Sequence, residues 1–289
     1  MECLDLFVRY ASLTGPNRKR AMQADLSALR TSLQAVRVSA LQEGKQAKCL
    51  VHLTVPAKEL SVVEIGVNGI YLSGILPGFM EGEQCTIITS DERMYTGTLR
   101  KCATGLSVRL DEKVSTVEDI TKLGIQVGDW VEADPNVHVT QSRFIKARNL
   151  RAISNFVILI CALEMLLENG RTLSKETEFC INFAGEETGC HECWGISGGT
   201  YCPEDFAESL RIGSPAITAE NGLDEYSVAI QGESLERIAK EKNIPYKVIS
   251  GMGKGNILAA AFQVDGFSER GHEEGIKAAF KLLSAFLSE

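Results

Sequence analysis

Apolar positions along the chain change their spacing twice. Leu4, Phe7, Val8 and Ala11 recur at helical intervals, Thr14-Gly15-Pro16 interrupts them, and the pattern resumes from Ala24 to Leu41, so residues 2–43 read as helical. Residues 49–55 form a β-rich run closed by Pro56 and read as a strand. From Val62 to about Ile145 the pattern becomes one of short β-rich runs, at residues 62–65, 70–72, 84–88, 95–100, 106–110 and 130–133. Turns rich in Gly, Asp and Asn, such as Val67-Asn68-Gly69, separate them. Runs of this length and spacing predict a small sandwich or barrel rather than a βαβ sheet.

After Arg148 helices and strands alternate again. Residues 155–168 predict a strongly apolar helix stopped by Asn169-Gly170, and residues 177–183 a strand. Residues 233–242 read as a helix and 246–249 as a strand, while 257–264 fit either. Ile276, Ala279, Phe280, Leu283 and Leu287 make the apolar stripe of a C-terminal helix. A β-rich module therefore interrupts an α/β domain built from both ends of the chain.

The 289 residues suit about two domains. Thirty Lys and Arg against 38 Asp and Glu leave a net charge of −8 with no long basic run, which argues against a nucleic-acid binder. Nine scattered cysteines, an odd number, suit reduced thiols in a cytoplasmic protein better than a disulfide framework. No signal-peptide pattern opens the chain. The longest apolar stretch, residues 156–167, is broken by Glu164 and falls short of the ~20 residues of a membrane span, so it reads as a buried helix.

Several short motifs bear chemistry. Glu186-Glu187 follows the strand at 177–183, and the end of a strand in an α/β sheet is where ligands bind. Gly195-Ile-Ser197-Gly-Gly199 fits the letters of a nucleophile elbow, with Asp224 or Asp265 and His272 completing the order of a serine hydrolase. Cys190-His-Glu-Cys-Trp is not the apolar strand an elbow requires. Cys180, Cys190, His191, Cys193 and Cys202 lack the second C-x-x-C pair of a good zinc site. Gly251-Met-Gly-Lys-Gly255 lacks phosphate-loop spacing and reads as a flexible turn.

In their order, these features resemble the M42 family of metallo-aminopeptidases, the glutamyl and deblocking enzymes of tetrahedral type. The resemblance rests on Val63-Glu-Ile-Gly-Val-Asn-Gly69, Leu123-Gly-Ile-Gln-Val-Gly-Asp129 with Val131 and Pro135, the apolar helix, Phe183-Ala-Gly-Glu-Glu-Thr-Gly189 and residues 238–246. It implies a mixed sheet flanked by helices over residues 1–60 and 147–289. Residues 61–146 would be an inserted β-barrel-like domain through which copies dimerise and assemble. An active member of the family holds two divalent ions with two His and three carboxylates, one of them bridging, while a further Glu activates water.

Carried over, the resemblance makes Glu186 the catalytic base and His52, Glu187 and His272 metal ligands. Two positions are altered. Thr54 stands where an Asp orients the first His, and Arg151, or its neighbour Ala152, stands where the bridging Asp belongs. The third carboxylate is expected near Ser209, with Glu208 the nearest acid. Two cations ~3.5–4 Å apart need a bridging anion, and a guanidinium stays protonated.

The expectation is thus a relative that lacks the intact dinuclear centre, has no cofactor, and serves peptide binding or assembly as a cytoplasmic homo-oligomer. In that reading Arg151 pairs with Glu186 or Glu187 in the former metal cavity. The alternative is an aminopeptidase with a rearranged site holding one Zn, Co or Mn ion, and the remaining reading is a serine hydrolase using Ser197. Peptides are the expected partners, with neither nucleic acid nor membrane.

Overall fold

The computed structural model describes residues 2–13, 15–37, 48–55, 60–67, 69–74, 81–103, 105–170, 173, 176–183, 192–195, 208–212, 224–249, 256–260, 263–265 and 268–288. Two helices open the chain, α1 (Cys3–Ala11) and α2 (Gly15–Arg37). Leu4, Phe7 and Ala11 of the predicted stripe are buried in α1, together with Cys3, Leu6 and Tyr10. Pro16 is tolerated in α2 because the first turn of a helix has no use for its missing N–H. Strand β1 (Lys48–Val55) follows.

Strands β2 (Leu60–Gly66), β3 (Gly69–Gly74), β4 (Gln84–Ile88), β5 (Met94–Cys102) and β6 (Gly105–Leu110), helix α3 (Val117–Lys122) and strand β7 (Trp130–Ala133) come next. The six strands close a barrel in the order β2-β3-β6-β5-β4-β7. Its interior is a separate apolar cluster that includes Leu60, Ile70, Ile87, Leu99, Val108 and Val131. Helix α3 was not among the predicted elements, although Thr116-Val-Glu-Asp119 carries a start signal. The Thr116 side chain accepts from the Asp119 N–H, and Asp119 reaches back to Thr116 in a capping box. In Leu123-Gly-Ile-Gln-Val-Gly-Asp129, Ile125 is buried in the barrel, while the Asp129 carboxylate accepts from the Gln126 N–H at 2.8 Å and the Ser90 N–H at 3.2 Å. The motif is a barrel-closing loop.

The chain continues through β8 (His138–Val139), β9 (Phe144–Ala147), α4 (Leu150–Glu168), β10 (Glu176–Phe183), β11 (Glu192–Gly195), β12 (Glu208–Ile212), β13 (Val228–Gln231), α5 (Glu233–Glu241), β14 (Tyr246–Val248), β15 (Asn256–Ala260), β16 (Gln263–Asp265), β17 (Ser268–His272) and α6 (Glu273–Ser288). Residues 257–264, which fit helix or strand by pattern, contribute to two strands. A seven-stranded sheet runs β11-β10-β1-β12-β15-β13-β14. Strands β10, β1, β12 and β15 are parallel, whereas β11 and β13 run antiparallel to their neighbours β10 and β15, so the sheet is mixed. A second sheet, β16-β17-β9-β8, is antiparallel.

Helix α4 packs against α1, α2, α6 and β1. It starts at Leu150, five residues before the predicted start, because Leu150 and Ile153 are as fully buried as the rest. At 19 residues with a mean hydropathy of 2.0 it is long and apolar enough to cross a membrane. Length therefore does not mark it as a core helix. Burial does: Ile153, Phe156, Val157, Leu159 and Leu163 expose no surface, and apolar contact on all sides is what a helix apolar all round requires.

Candidate functional site

Strand β1 lies between β10 and β12, with His52 opposite Cys180 and Arg211, and Thr54 opposite Asn182. The carboxyl ends of β1 and β10 meet at Val55 and Phe183. This is the edge at which α/β sheets bind ligands, and Glu186 and Glu187 follow Phe183 by three and four residues in sequence. Both acids, Ser197 and the side chains of His52 and Thr54 lie outside the described residues. Glu208 is the acid nearest the expected third carboxylate. It pairs with Cys49 at the amino end of β12, three residues below the level of His52 and Arg211. At ~3.3 Å per residue that is about 10 Å from the His52 level.

Arg151 is the second residue of α4 and is not an open surface residue. Its backbone N–H donates to Glu269 Oε2 at 2.7 Å, and its Nε donates to Glu269 Oε1. Asn149, at the N-cap, is left-handed with φ 56° and makes no side-chain cap. The Glu269 carboxylate, from β17, therefore supplies the cap that the local sequence lacks, at the end of the helix where the dipole favours an anion. The described partner of Arg151 is Glu269. Residue spacing held no sign of it, since the two are 118 positions apart.

His272 is committed elsewhere. Its Nε2 lies 2.8 Å from the Ser142 carbonyl oxygen, and its Nδ1 accepts from the Glu274 N–H at 3.1 Å. One ring nitrogen therefore faces a carbonyl acceptor and the other a backbone N–H donor. Its ring packs against Phe144 and Tyr226, with centroids at 4.8 and 4.6 Å. Arg270 lies 4.1 Å over Phe144 and pairs with Glu225 at 2.7 Å. His272 is thus the first-turn acceptor of α6, with both ring nitrogens hydrogen-bonded.

The register separates the positions further. Glu269 pairs with Ala147 and His272 with Phe144, so Arg151 follows one end of the β9–β17 pair while His272 ends the other. Three residues of strand put them about 10 Å apart along it. A strand, β11, does precede Ser197, but it is the antiparallel edge strand rather than a central parallel one. Asp224 is exposed and accepts from the Tyr226 N–H.

Among the described residues no three His, Cys, Asp or Glu side chains form a group able to hold a metal ion. Among the described positions Arg151 carries a permanent positive charge, and both His272 nitrogens are hydrogen-bonded. The described cysteines are free thiols, three of them buried. Burial and the neighbouring Glu273 push Cys3 up to about 12, and burial with Asp111 raises Cys85 to about 12. Burial raises Cys161 as well. At pH 8 these groups are protonated and inert. Iodoacetamide is expected to leave all three unmodified in the folded protein and to label them in urea, as peptide mass spectrometry would read; native labelling of Cys3 would contradict this.

Residues 70–192 match the profile of the M42 glutamyl aminopeptidase family. Over that stretch the chain is similar to the M42 family. Over 189 residues it is 32% identical to "Putative aminopeptidase YhfE" of Bacillus subtilis (strain 168), an alignment covering 58% of this chain and 53% of that protein. The chain thus matches about half the length of that curated relative. Among solved structures, aminopeptidase APDkam598 from the archaeon Desulfurococcus kamchatkensis superposes with a TM-score of 0.67 at 19% identity, over 86% of this chain and 81% of that one. The TET1 peptidase of Pyrococcus horikoshii, described as able to assemble into a tetrahedron or a large octahedral shell, gives 0.69 at 14% identity over 99% of each chain. At these identities the likeness shows the fold, not the chemistry. The M42 match runs from β3 into β11. It contains Arg151, Glu186 and Glu187, and leaves out His52 and His272.

Proposed function

We propose that this chain is an M42-type aminopeptidase-fold protein without an intact dinuclear metal centre, serving peptide binding or assembly rather than hydrolysis. The observation that carries the reading is the Arg151–Glu269 pair, standing where the resemblance expects a carboxylate shared by two ions. A guanidinium neither ligates a cation nor loses its proton at working pH. The bonds of His272 to Ser142 and Glu274 add support. Residues 61–146 would be the module through which copies associate, as the assembling P. horikoshii peptidase suggests. Its barrel presents Val63, Val67 and Val127 to solvent.

A second reading is favoured by Glu186-Glu187 within the matched stretch. These acids with His52 would hold one Zn, Co or Mn ion for aminopeptidase chemistry. The test is metal content of the purified full chain together with amino-acid release from a peptide with a free N-terminus. The proposal expects substoichiometric metal after dialysis against each ion and no release above buffer. Stoichiometric metal with release that a chelator abolishes would establish the second reading instead. Hydrolysis abolished by Ser197→Ala would overturn both.

A further inference from the structure

The barrel meets the rest of the chain at a polar junction that the functional reading leaves unused. Two arginines on the α/β side reach two carboxylates on the barrel side. Arg18 of α2 donates through Nη2 to Glu132 Oε1 of β7 at 2.6 Å, and both side chains are at least nine-tenths buried. The same guanidinium donates to the carbonyls of Tyr10 at 2.9 Å and Leu13 at 2.6 Å, so one planar group joins the end of α1, the turn after it and the barrel. The other oxygen of Glu132 accepts from the Gly15 N–H at 2.6 Å, which makes a barrel carboxylate the cap of α2.

Gly15 also lies against the Trp130 ring. A Cβ there would stand 2.1 Å from the ring, so only glycine allows this approach. Beyond the barrel exit, Arg148 Nη2 donates to Glu83 Oε2 at 2.7 Å, and the Arg148 N–H donates to the Pro135 carbonyl at 2.9 Å. An exposed Arg20–Glu92 pair adds a third contact. The exit segment, residues 134–137, therefore lies between two ion pairs of the same polarity.

We infer that the α1–α2 pair is a strap: by gripping Glu132 and Trp130 it holds the barrel in one orientation about a hinge at residues 134–137. The Arg18–Glu132 pair is buried and the Arg148–Glu83 pair largely so, and releasing one partner leaves a charge that a swung-out barrel can rehydrate. Strap release and barrel unfolding are then separate events, because the apolar cluster inside the barrel does not depend on the strap.

Amide hydrogen exchange of the full chain tests this. The Gly15 amide bonds to Glu132 of the barrel and the Arg148 amide to Pro135 of the exit segment about which the barrel turns, whereas the Leu99 amide bonds to the Glu83 carbonyl within the barrel. In Glu132→Gln, exchange at both Gly15 and Arg148 is expected to rise by about tenfold while Leu99 keeps its protection. An unchanged Arg148 amide, or loss of protection at Leu99 as well, would overturn the inference. If that variant fails to fold, the wild type decides through the denaturant dependence of exchange. Gly15 and Arg148 should then share one opening below that of Leu99, and a single opening common to all three would overturn it. Native mass spectra of the same samples separate this from the assembly reading, on which one consequence rests: a released strap should broaden the distribution of assembly sizes. A monomeric wild type would remove that reading and leave the exchange result standing.

Discussion

Replacing Glu269 with alanine is expected to destabilise the protein by about 2–3 kcal/mol. The figure combines the loss of a helix cap, ~1 kcal/mol, with a charge left unpaired. Arg151 is 29% exposed and Glu269 12%, so solvent screens the pair and the cost stays below that of a fully buried one. For a chain of this size the melting temperature should fall by roughly 3–5 °C, which calorimetry would read. Arg151→Ala should cost less, about 1 kcal/mol, because the N–H of residue 151 still donates to the carboxylate. That asymmetry separates a capping carboxylate from a side-chain ion pair. Equal losses in the two variants would show that the helix end needs no cap, and a larger loss in Arg151→Ala would reverse the assignment.

Gly97→Ala is expected to open the barrel at the β5–β6 seam and cost about 3 kcal/mol. An alanine Cβ would stand 2.5 Å from Val108 Cγ1 and 2.8 Å from the Arg109 carbonyl oxygen. Val108 is buried in the barrel core, and the Arg109 oxygen belongs to the backbone of the adjacent strand, so neither yields without parting the strands. Chemical denaturation followed by a barrel-specific exchange probe such as the Leu99 amide would read the loss. A change under about 0.5 kcal/mol, the size of an ordinary surface substitution, would mean that the seam breathes enough to admit a methyl group.

These two sites differ in how far residue order alone could expose them. The barrel strands were legible because their alternation and turn residues act within a few positions; the run at 84–88 coincides with β4 and that at 130–133 with β7. Gly97 carried no mark, because its need for closeness comes from Val108 and Arg109 across the ladder. The start of α4 was missed for a related reason. Arg151 and Ser154 look polar in sequence, yet Ser154 is buried by neighbouring elements and Arg151 is held by Glu269. His272 shows a different limit of residue order. Its position near the end of the chain fits a ligand of the resembling family, whereas its nitrogens bond Ser142, 130 residues away, and Glu274, two residues on.

The order of residues by itself determined the α/β class, the β-rich stretch from Val62 to about Ile145, the helical stripe of α6 and the M42 likeness, since each depends on local periodicity or on motif spacing. Only the tertiary structure decided which carboxylate faces Arg151, what occupies the two nitrogens of His272 and how Arg18 reaches Glu132. Those are electrostatic and hydrogen-bond choices among groups more than a hundred residues apart, apart from the contact of His272 with Glu274. Such partners are selected by distance in space and by burial, and neither quantity is written into the spacing of residues along a chain.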